Sequence, residues 1–484
     1  MRGVETRIQE IRHRIFREVA RMAYHTEWPV DKRIEELPYK IIPGEIGNYR
    51  SDVFLERAIV GERLRLAMGL PYRSAADPAP ISDNIEAADQ PETYYTPPLI
   101  NVMKFACNAC HEMRVMVTDG CQGCLAHPCV EVCPKDAVSI DRSNGRSHID
   151  QDKCIRCKRC ADVCSYHAII VQERPCAAAC GMDCIHSDEN GKADIDYDKC
   201  VSCGMCLVNC PFGAIADKSQ IFQVIRAIQS GERVYAAVAP AFVGQFGQKV
   251  TPGKLRAAMK ALGFADVFEV AVGADLCATQ EAIDFMQEVP EKLPFMATSC
   301  CPAWSMMAKK LFPEQADCIS MALTPMTLTA RLIKRHHKNA KVVFIGPCAA
   351  KKLEAMRTDI RSDVDFVLTF EEMDGIFDAK HVEKMEEDPD GVNDASMDGR
   401  NFAVSGGVAK SVVDVIHQRF PDREIKVANA EGLKDCRKLL TMAKAGKYNG
   451  YLLEGMACPG GCVAGAGTMQ PIKKSQAAVN LYAS

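Results

Sequence analysis

Cysteine is the residue type in this sequence whose number and spacing could do chemistry. The 484 residues include 25 cysteines, of which 17 fall between Cys107 and Cys210 and eight between Cys277 and Cys462. The N-terminal residues lack the apolar core of an export signal, so we expect a cytoplasmic chain whose thiols stay reduced. Thiols in such number predict metal binding.

Two segments of the first cysteine group have the spacing CxxCxxCxxxC, with which bacterial ferredoxins bind 4Fe-4S clusters. A third segment is the variant CxxCxxxxCxxxCP, and two short fragments remain. Three cysteines at consecutive steps of three favour a cubane over zinc, because a zinc knuckle needs paired CxxC units. The two repeats are 154–164 and 200–210, the variant is 121–133, and the fragments are 107–110 and 176–180.

Separation along the chain decides which motifs pair, because the fourth cysteine of each motif in a two-cluster ferredoxin binds the other motif's cluster. Cys133 and Cys154 are 21 positions apart, and Cys180 and Cys200 are 20 positions apart. The competing pairing, of Cys164 with Cys200, spans 36 positions. We therefore predict one ferredoxin unit nested inside another, with four clusters. Cys184 is either a spare thiol or a replacement for one of the less regular ligands. The predicted ligand sets are Cys121, Cys124, Cys129 and Cys164; Cys154, Cys157, Cys160 and Cys133; Cys200, Cys203, Cys206 and Cys180; and Cys107, Cys110, Cys176 and Cys210.

Three further cysteine motifs lie in the second half, just after strand-like runs, where open α/β sheets usually place their sites. They read TSCCPAW (298–304), GPCAAKKLE (346–354) and EGMACPGGCVAGAG (454–467). Their thiols suffice for one more 4Fe-4S cluster, and the glycines of the third motif let the backbone approach a bulky inorganic centre. The four candidate ligands are Cys301, Cys348, Cys458 and Cys462.

The sequence patterns around these cysteines predict an α+β ferredoxin-like region followed by an α/β domain, whose helices and strands must position the cysteines. In the second half, β-rich runs repeatedly precede helix-like segments, which predicts parallel sheet covered by helices. The runs are 233–239, 266–270, 341–345, 424–428 and 450–453.

Composition sets the domain boundaries and excludes some partners. A net charge of −4 provides no broad basic surface for nucleic acid, and no apolar run reaches the roughly 18 residues of a membrane span. We expect no binding to nucleic acid and no membrane span. The predicted regions are a cysteine-free helical region at 1–66, a linker rich in Pro, Ala and acidic residues at 67–100, ferredoxin-type domains at 101–220 and a catalytic domain at 221–484.

The three motifs, in this order, resemble the signature segments of FeFe (iron-only) hydrogenases, and the resemblance covers residues 101–484. It implies that the four cysteines of these motifs hold the cubane of an H-cluster, which joins a 4Fe-4S cubane to a two-iron subsite carrying CO, cyanide and azadithiolate. Cys462 would bridge to that subsite. Lys351 matches the lysine that hydrogen-bonds a cyanide, a charge-assisted contact, and Met456 matches a pocket residue beside the two irons.

The same resemblance implies a proton relay, whose members must both give and take protons. Cys300 aligns with the cysteine that passes protons to the azadithiolate amine. Glu281 and Asp284 fall one helical turn apart on one face, with aspartate where a glutamate is commoner, and Ser320 falls at the relay serine.

These residues predict a hydrogenase that interconverts protons and H2, receives electrons from a ferredoxin-like carrier through 4Fe-4S clusters, and depends on hydrogenase maturation proteins. Two alternatives remain. A hydrogen sensor would bind the same cofactor, but sensors of this family tend to lose the cysteine found here as Cys300. A Nar1-like iron–sulfur assembly protein would share the fold without the two-iron subsite, and the complete TSCCPAW and MACPGGC segments argue against it.

Overall fold

A computed structural model of the chain describes residues 3–76, 78–89, 96–357, 362–382, 388 and 395–484. They form three N-terminal helices, then a region of short strands and single-turn helices, then an α/β domain. None of the helices within these ranges combines the length and the apolar character that a membrane crossing requires.

The N-terminal helices pack on the rest of the protein. They are α1 (Arg7–Tyr24), α2 (Val30–Ile41) and α3 (Val53–Ala67). Thr6 and Gln9 begin α1 with a capping box, which satisfies the backbone N–H groups that a helix start leaves unpaired. Ile15, Val19 and Met22 of α1 are buried in the core of the α/β domain.

The stretch 67–100, predicted as a linker, lies over this core where it is described. Leu70, Ile85 and Ala88 are buried in it. Residues 77 and 90–95 of the stretch lie outside the described residues. The apolar side chains of this segment therefore contribute to the core.

The cysteine-rich region consists of antiparallel strand pairs with single helical turns between them. Strand β1 pairs with β8, and β2 pairs with β5. The β2–β5 unit is therefore inserted within the β1–β8 unit, and each unit also contains a hairpin, β3–β4 or β6–β7. The elements are β1 (Ile100–Val102), β2 (Arg114–Val117), α4 (Pro128–Glu131), β3 (Val138–Ile140), β4 (Ser147–Ile149), α5 (Arg159–Asp162), β5 (Ile169–Gln172), α6 (Pro175–Ala178), β6 (Ile185–Ser187), β7 (Ala193–Ile195), α7 (Met205–Asn209) and β8 (Ile215–Asp217).

The α/β domain contains two parallel sheets, one in the order β10-β9-β12-β13 and one in the order β11-β15-β14. Strand β9 is buried along its whole length, as expected of a parallel strand covered on both faces. The strands are β9 (Val234–Val238), β10 (Asp266–Glu269), β11 (Met296–Ala297), β12 (Lys341–Gly346), β13 (Phe366–Thr369), β14 (Lys426–Glu431) and β15 (Tyr451–Met456). The helices are α8 (Ile221–Gln229), α9 (Pro252–Ala261), α10 (Val270–Glu288), α11 (Pro302–Leu311), α12 (Pro325–His336), α13 (Ala350–Ala355), α14 (Phe370–Ala379), α15 (Met397–Asn401), α16 (Gly407–Arg419), α17 (Leu433–Lys444) and α18 (Ile472–Ala483). The predicted fold class, a ferredoxin-like region followed by an α/β domain, is confirmed.

Buried ion pairs join the three regions. Lys352 of α13 is fully buried and lies 2.8 Å from Asp217 of β8 and 2.7 Å from Glu372 of α14. Arg12 of α1 lies 2.7 Å from Glu371. Because a buried charge that loses its partner is strongly destabilising, these pairs hold the regions in one arrangement.

Candidate active site

The carboxyl ends of strands from both parallel sheets surround one cavity. Most of its lining residues are small or apolar, and Lys351 is the charged residue among them. A largely apolar cavity with a few convergent polar groups is the usual form of a cofactor site. Six cysteines line it: Cys203, Cys300, Cys301, Cys348, Cys458 and Cys462.

The four predicted cluster ligands of the catalytic domain are thus brought together, each on a loop that follows a strand. Cys301 follows β11 and precedes α11, and Cys348 lies between β12 and α13. Cys458 and Cys462 follow β15. The first and the last of these cysteines are more than 150 positions apart in the sequence. The convergence of parallel strands brings all four to one place.

Without a bound cation, burial keeps the thiols of this cavity in their protonated form. Burial, with the nearby Cys301, raises the pKa of the Cys348 thiol to about 11. Burial likewise raises the pKa of the Cys301, Cys458 and Cys462 thiols above the usual range. A thiolate here is stable only when a cation replaces the proton, which is the situation that metal binding creates. The described residues contain no group of three or more His, Cys, Asp or Glu side chains placed to hold a single metal ion.

Glycines hold the cysteine loops close together. A Cβ at Gly465 would lie 2.2 Å from the carbonyl oxygen of Pro347, the neighbour of Cys348. A Cβ at Gly461, the neighbour of Cys462, would lie 2.5 Å from the backbone nitrogen of Ser405. Only glycine permits these approaches, so the loops of the second and third motifs form a close-fitting cradle for a bulky group.

We expect Gly465→Ala to lower the iron content by about four atoms per chain, one cubane, because the added methyl displaces Pro347 and Cys348. The measurement is iron per chain after anaerobic reconstitution. Gly120→Ala is the control, because its Cβ meets only ordinary contacts, the nearest at 3.5 Å. Equal iron in Gly465→Ala and the parent protein would show that the close approach has no role in cluster binding.

The structure places three of the predicted proton-relay residues, Cys300, Glu281 and Ser320, close together beside the cavity. Glu281 of α10 is fully buried, and its Oε1 accepts the backbone N–H of Ser299 at 3.3 Å. The Ser320 hydroxyl is near enough to the same carboxyl to lower its pKa. Glu281 is close enough to Cys300 for its charge to raise the pKa of that thiol, after the larger effect of burial. Asp284, half-buried, accepts a hydrogen bond from Gln280 at 2.8 Å rather than from Ser320.

Burial gives Glu281 an unusual protonation state. Burial raises the pKa of the carboxyl to about 7, although the hydrogen bond from Ser299 and the nearby Ser320 hydroxyl oppose the shift. Its Oε2 is buried without a hydrogen-bond partner. A carboxyl with a pKa near neutrality is suited to exchange protons at physiological pH.

Lys351 and Met456 both line the cavity. The Lys351 Nζ donates to the Glu354 carboxylate at 2.6 Å and to the carbonyl oxygen of Cys300 at 3.1 Å. Burial alone would lower the pKa of Lys351, but Glu354 outweighs it and the net shift is upward. The lysine is therefore held charged at the cavity wall.

The predicted accessory ligands also gather into groups. Cys107, Cys110, Cys176 and Cys210 line one pocket, and Cys133, Cys154, Cys157 and Cys160 line another. Cys203 and Cys206 lie near Cys180 and Cys200, whose charges act on both. Cys121 and Cys129 both contact Ser147, at 3.4 and 3.2 Å. The two pockets each contain one complete predicted ligand set, and the pairing as a whole stays a prediction.

Two features of the site were not predicted from the sequence. Glu354 accepts a hydrogen bond from Lys351. Its position three residues after the lysine in GPCAAKKLE could have indicated this contact, because side chains three residues apart are neighbours on a helix. Cys203 lines the catalytic cavity although its motif is more than 90 residues away from Cys300. A Cβ at Gly204 would lie 2.5 Å from that of Ala466, so the loop holding Cys203 packs directly against the third catalytic motif.

Comparison with known proteins agrees with this arrangement. Residues 232–466 match the family model described as the iron only hydrogenase large subunit, C-terminal domain. Residues 120–168 match a 4Fe-4S dicluster domain, and residues 192–215 match a 4Fe-4S binding domain. The first match contains all four candidate ligands around the cavity.

Iron hydrogenase 1 of Clostridium pasteurianum is 30% identical over 393 residues, which cover 69% of this chain and 67% of that protein. The chain belongs to the FeFe hydrogenase family. A second relative is the NADP-reducing hydrogenase subunit HndD of Solidesulfovibrio fructosivorans. It is 29% identical over 384 residues, and the match covers 66% of this chain and 63% of that protein. The chain thus spans about two thirds of the length of these relatives.

Two further similarities complete the comparison. A solved FeFe-hydrogenase variant, HydA1 from Chlamydomonas reinhardtii, aligns with a TM-score of 0.44 and 25% identity, over 54% of this chain and 88% of the other. The cytosolic iron-sulfur assembly component 3 of Rattus norvegicus is 26% identical over 279 residues, 46% of this chain and 57% of that protein. Relatives named as hydrogenases and relatives named as assembly proteins both match the chain, so family membership alone does not decide its activity.

Proposed function

We propose that this chain is a catalytic FeFe hydrogenase that reversibly reduces protons to H2. The observation that carries the proposal is the meeting of four candidate ligands with Cys300, next to the buried Glu281, at one cavity. Four thiols suffice for a cubane, whereas the additional thiol and carboxyl are groups that a purely structural cluster would not need.

The cavity fits the H-cluster in its thiol chemistry and in its close backbone approaches. Cys301, Cys348, Cys458 and Cys462 would hold its cubane. The H-cluster, when bound, would supply the redox-active irons at which protons are reduced and an amine that can pass protons to them. Lys351, kept charged by Glu354, would donate a hydrogen bond to an anionic diatomic ligand.

The chain's own task in the reaction is to deliver protons through a cavity with apolar walls. Cys300 lines the cavity and would hold the last proton before the cofactor. Glu281 would resupply Cys300, because its pKa of about 7 lets it take and give a proton with little free-energy cost. Ser320 would pass protons inward to Glu281 from the half-buried Asp284, with a water between Asp284 and Ser320.

Electrons would enter through the nested ferredoxin units and leave through the cluster on Cys180, Cys200, Cys203 and Cys206. The location of Cys203 in the cavity wall supports this order. Cys206 lies near enough to Cys176 for their charges to interact, which supports transfer between the two outer clusters. We propose four accessory 4Fe-4S clusters in all.

The segment 153–159 (KCIRCKR) is the proposed entry point for electrons. Cys157 and Ile155 are exposed, and so are the basic side chains around them. Exposed positive charge around an exposed cluster ligand would steer an acidic ferredoxin-like carrier to this surface.

Arg156→Glu is expected to raise the apparent KM for a reduced acidic ferredoxin by about tenfold at low ionic strength, because steering by surface charge is lost. The difference should shrink as salt screens the charges, and the rate with a small viologen donor should not change. Lys473→Glu, an exposed charge change on α18, is the control. An unchanged KM for ferredoxin in Arg156→Glu would place the entry point elsewhere.

An iron–sulfur assembly role is the second candidate, because relatives with that name match the chain. The two roles differ in the two-iron subsite. We expect the infrared spectrum of the protein, loaded with the two-iron cofactor, to show bound CO and cyanide bands. Assembled 4Fe-4S clusters without those bands would favour the assembly role.

A further inference from the structure

The second ferredoxin-type unit has one thiol more than its clusters need. In three motifs, the residue four positions after the last cysteine is a buried alanine whose backbone N–H donates to that cysteine's sulfur. The pairs are Ala137 with Cys133 at 3.3 Å, Ala168 with Cys164 at 3.4 Å and Ala214 with Cys210 at 3.4 Å. In the fourth motif the last cysteine is Cys180, and the residue at the equivalent position is Cys184.

Cys184 thus occupies the position that alanine has in the other three motifs, and its side chain points at the cluster ligands. Its Sγ lies 3.4 Å from the Sγ of Cys180 and also within hydrogen-bonding reach of Cys200. The side chain is only 3% exposed and lies in the apolar cluster that contains Met182 and Ile185. The ligand sulfurs are therefore the polar groups toward which this buried thiol is directed.

The internal repeat identifies Cys180, not Cys184, as the fourth ligand of this cluster. Cys180 has the sequence position of Cys133, Cys164 and Cys210, and like them it is followed four residues later by a residue directed at its sulfur. Once Cys180 and Cys200 bind iron as thiolates, the Cys184 S–H can donate to either sulfur.

Donation to a ligand sulfur favours the reduced cluster. Reduction adds one electron, and hence one negative charge, to the cluster and its thiolates. Hydrogen bonds to the sulfurs stabilise that charge and raise the reduction potential. The cluster concerned is the one whose ligand Cys203 lines the catalytic cavity.

We infer that Cys184 is a positioning residue, an S–H donor that raises the reduction potential of the cluster beside the catalytic cavity and so favours electron transfer toward that cavity. The inference rests on the proposed cluster set but not on hydrogen catalysis. Alanine stands at the equivalent position of the other three motifs, so Cys184→Ala restores the common pattern while removing only the side-chain donor.

The test is an EPR-monitored redox titration of the full chain with its clusters reconstituted anaerobically, together with iron analysis. We expect Cys184→Ala to keep the parental iron content. The equilibrium constant for reducing one cluster should fall about three- to tenfold, the effect of one hydrogen bond, where tenfold corresponds to about 59 mV for one electron. The affected cluster should be the one whose EPR signal is lost in the Cys180→Ala variant. Cys184→Ser keeps a donor and should stay within about twofold of the parent, and Cys318→Ala, a buried cysteine in another element, is the control.

Either of two results with Cys184→Ala would overturn the inference. If Cys184→Ala leaves every cluster potential unchanged, the thiol is not a functional donor. If Cys184→Ala loses about four irons while Cys180→Ala keeps them, Cys184 is the ligand instead. Neither readout depends on the two-iron subsite or on H2 production, so these failures are distinct from failure of the proposed activity. If Cys184→Ala fails to fold, a Cys184→Ser potential outside the twofold range contradicts the donor role.

Discussion

Replacing Cys300 with alanine is expected to lower the rate of H2 evolution by at least about a hundredfold, the usual contribution of a positioned proton donor. Cys300 lines the cavity next to Cys301, and its alanine variant removes the group that we propose holds the last proton before the cofactor. The measurement is H2 evolution with reduced viologen after loading with the two-iron cofactor.

A structural effect of the same substitution can be separated from a chemical one. The Cys300→Ala variant should keep the infrared bands of bound CO and cyanide, because Cys300 is not among the four proposed ligands. Cys318→Ala, which removes a buried thiol outside the cavity lining, should retain activity. Full activity of Cys300→Ala would exclude the proton-transfer role, and loss of the infrared bands would place Cys300 in cofactor binding instead.

Glu281→Gln is expected to produce the second large loss, again about a hundredfold or more in H2 evolution. Glutamine preserves the shape of the side chain and can still accept the Ser299 N–H bond, but it cannot take up and release a proton. Glu288→Gln, on the same helix, is the matched control. Equal rates for Glu281→Gln and the parent protein would remove Glu281 from the relay.

The raised pKa of Glu281 also predicts a pH dependence. Because burial raises that pKa to about 7, the carboxyl is protonated below neutral pH and ionised above it. As the pH rises through about 7, the protonated fraction falls, and H2 evolution should slow with it. The infrared C=O band of a protonated carboxylic acid should disappear over the same range and be absent in Glu281→Gln. Disappearance near pH 4 to 5 would show an ordinary, solvated carboxyl.

Much of this arrangement could be predicted from the sequence, because local patterns determined it. The five β-rich runs of the second half all form parallel strands, and the cysteine motifs follow strands at the carboxyl edge. The nested order of the ferredoxin motifs agrees with the pairing of β1 with β8 around β2 and β5. Spacing was informative here because ligand geometry restricts it.

Other features depend on contacts that no local pattern encodes. Strand β11 has only two residues and exists through its pairing with β15, so no periodicity marks it. The division into two sheets depends on which strands pair, and the packing of Gly204 against Ala349 and Ala466 joins segments distant in sequence. For the same reason the buried contacts of α1 with the α/β core could not be foreseen from its helical pattern.

Hydrogen evolution by the loaded protein tests the proposed function most directly. The full chain, reconstituted with its 4Fe-4S clusters and the two-iron cofactor, should evolve H2 from reduced viologen, and the clusters alone should not. A protein that shows the CO and cyanide bands but produces no H2 would contradict a catalytic hydrogenase and favour a hydrogen sensor.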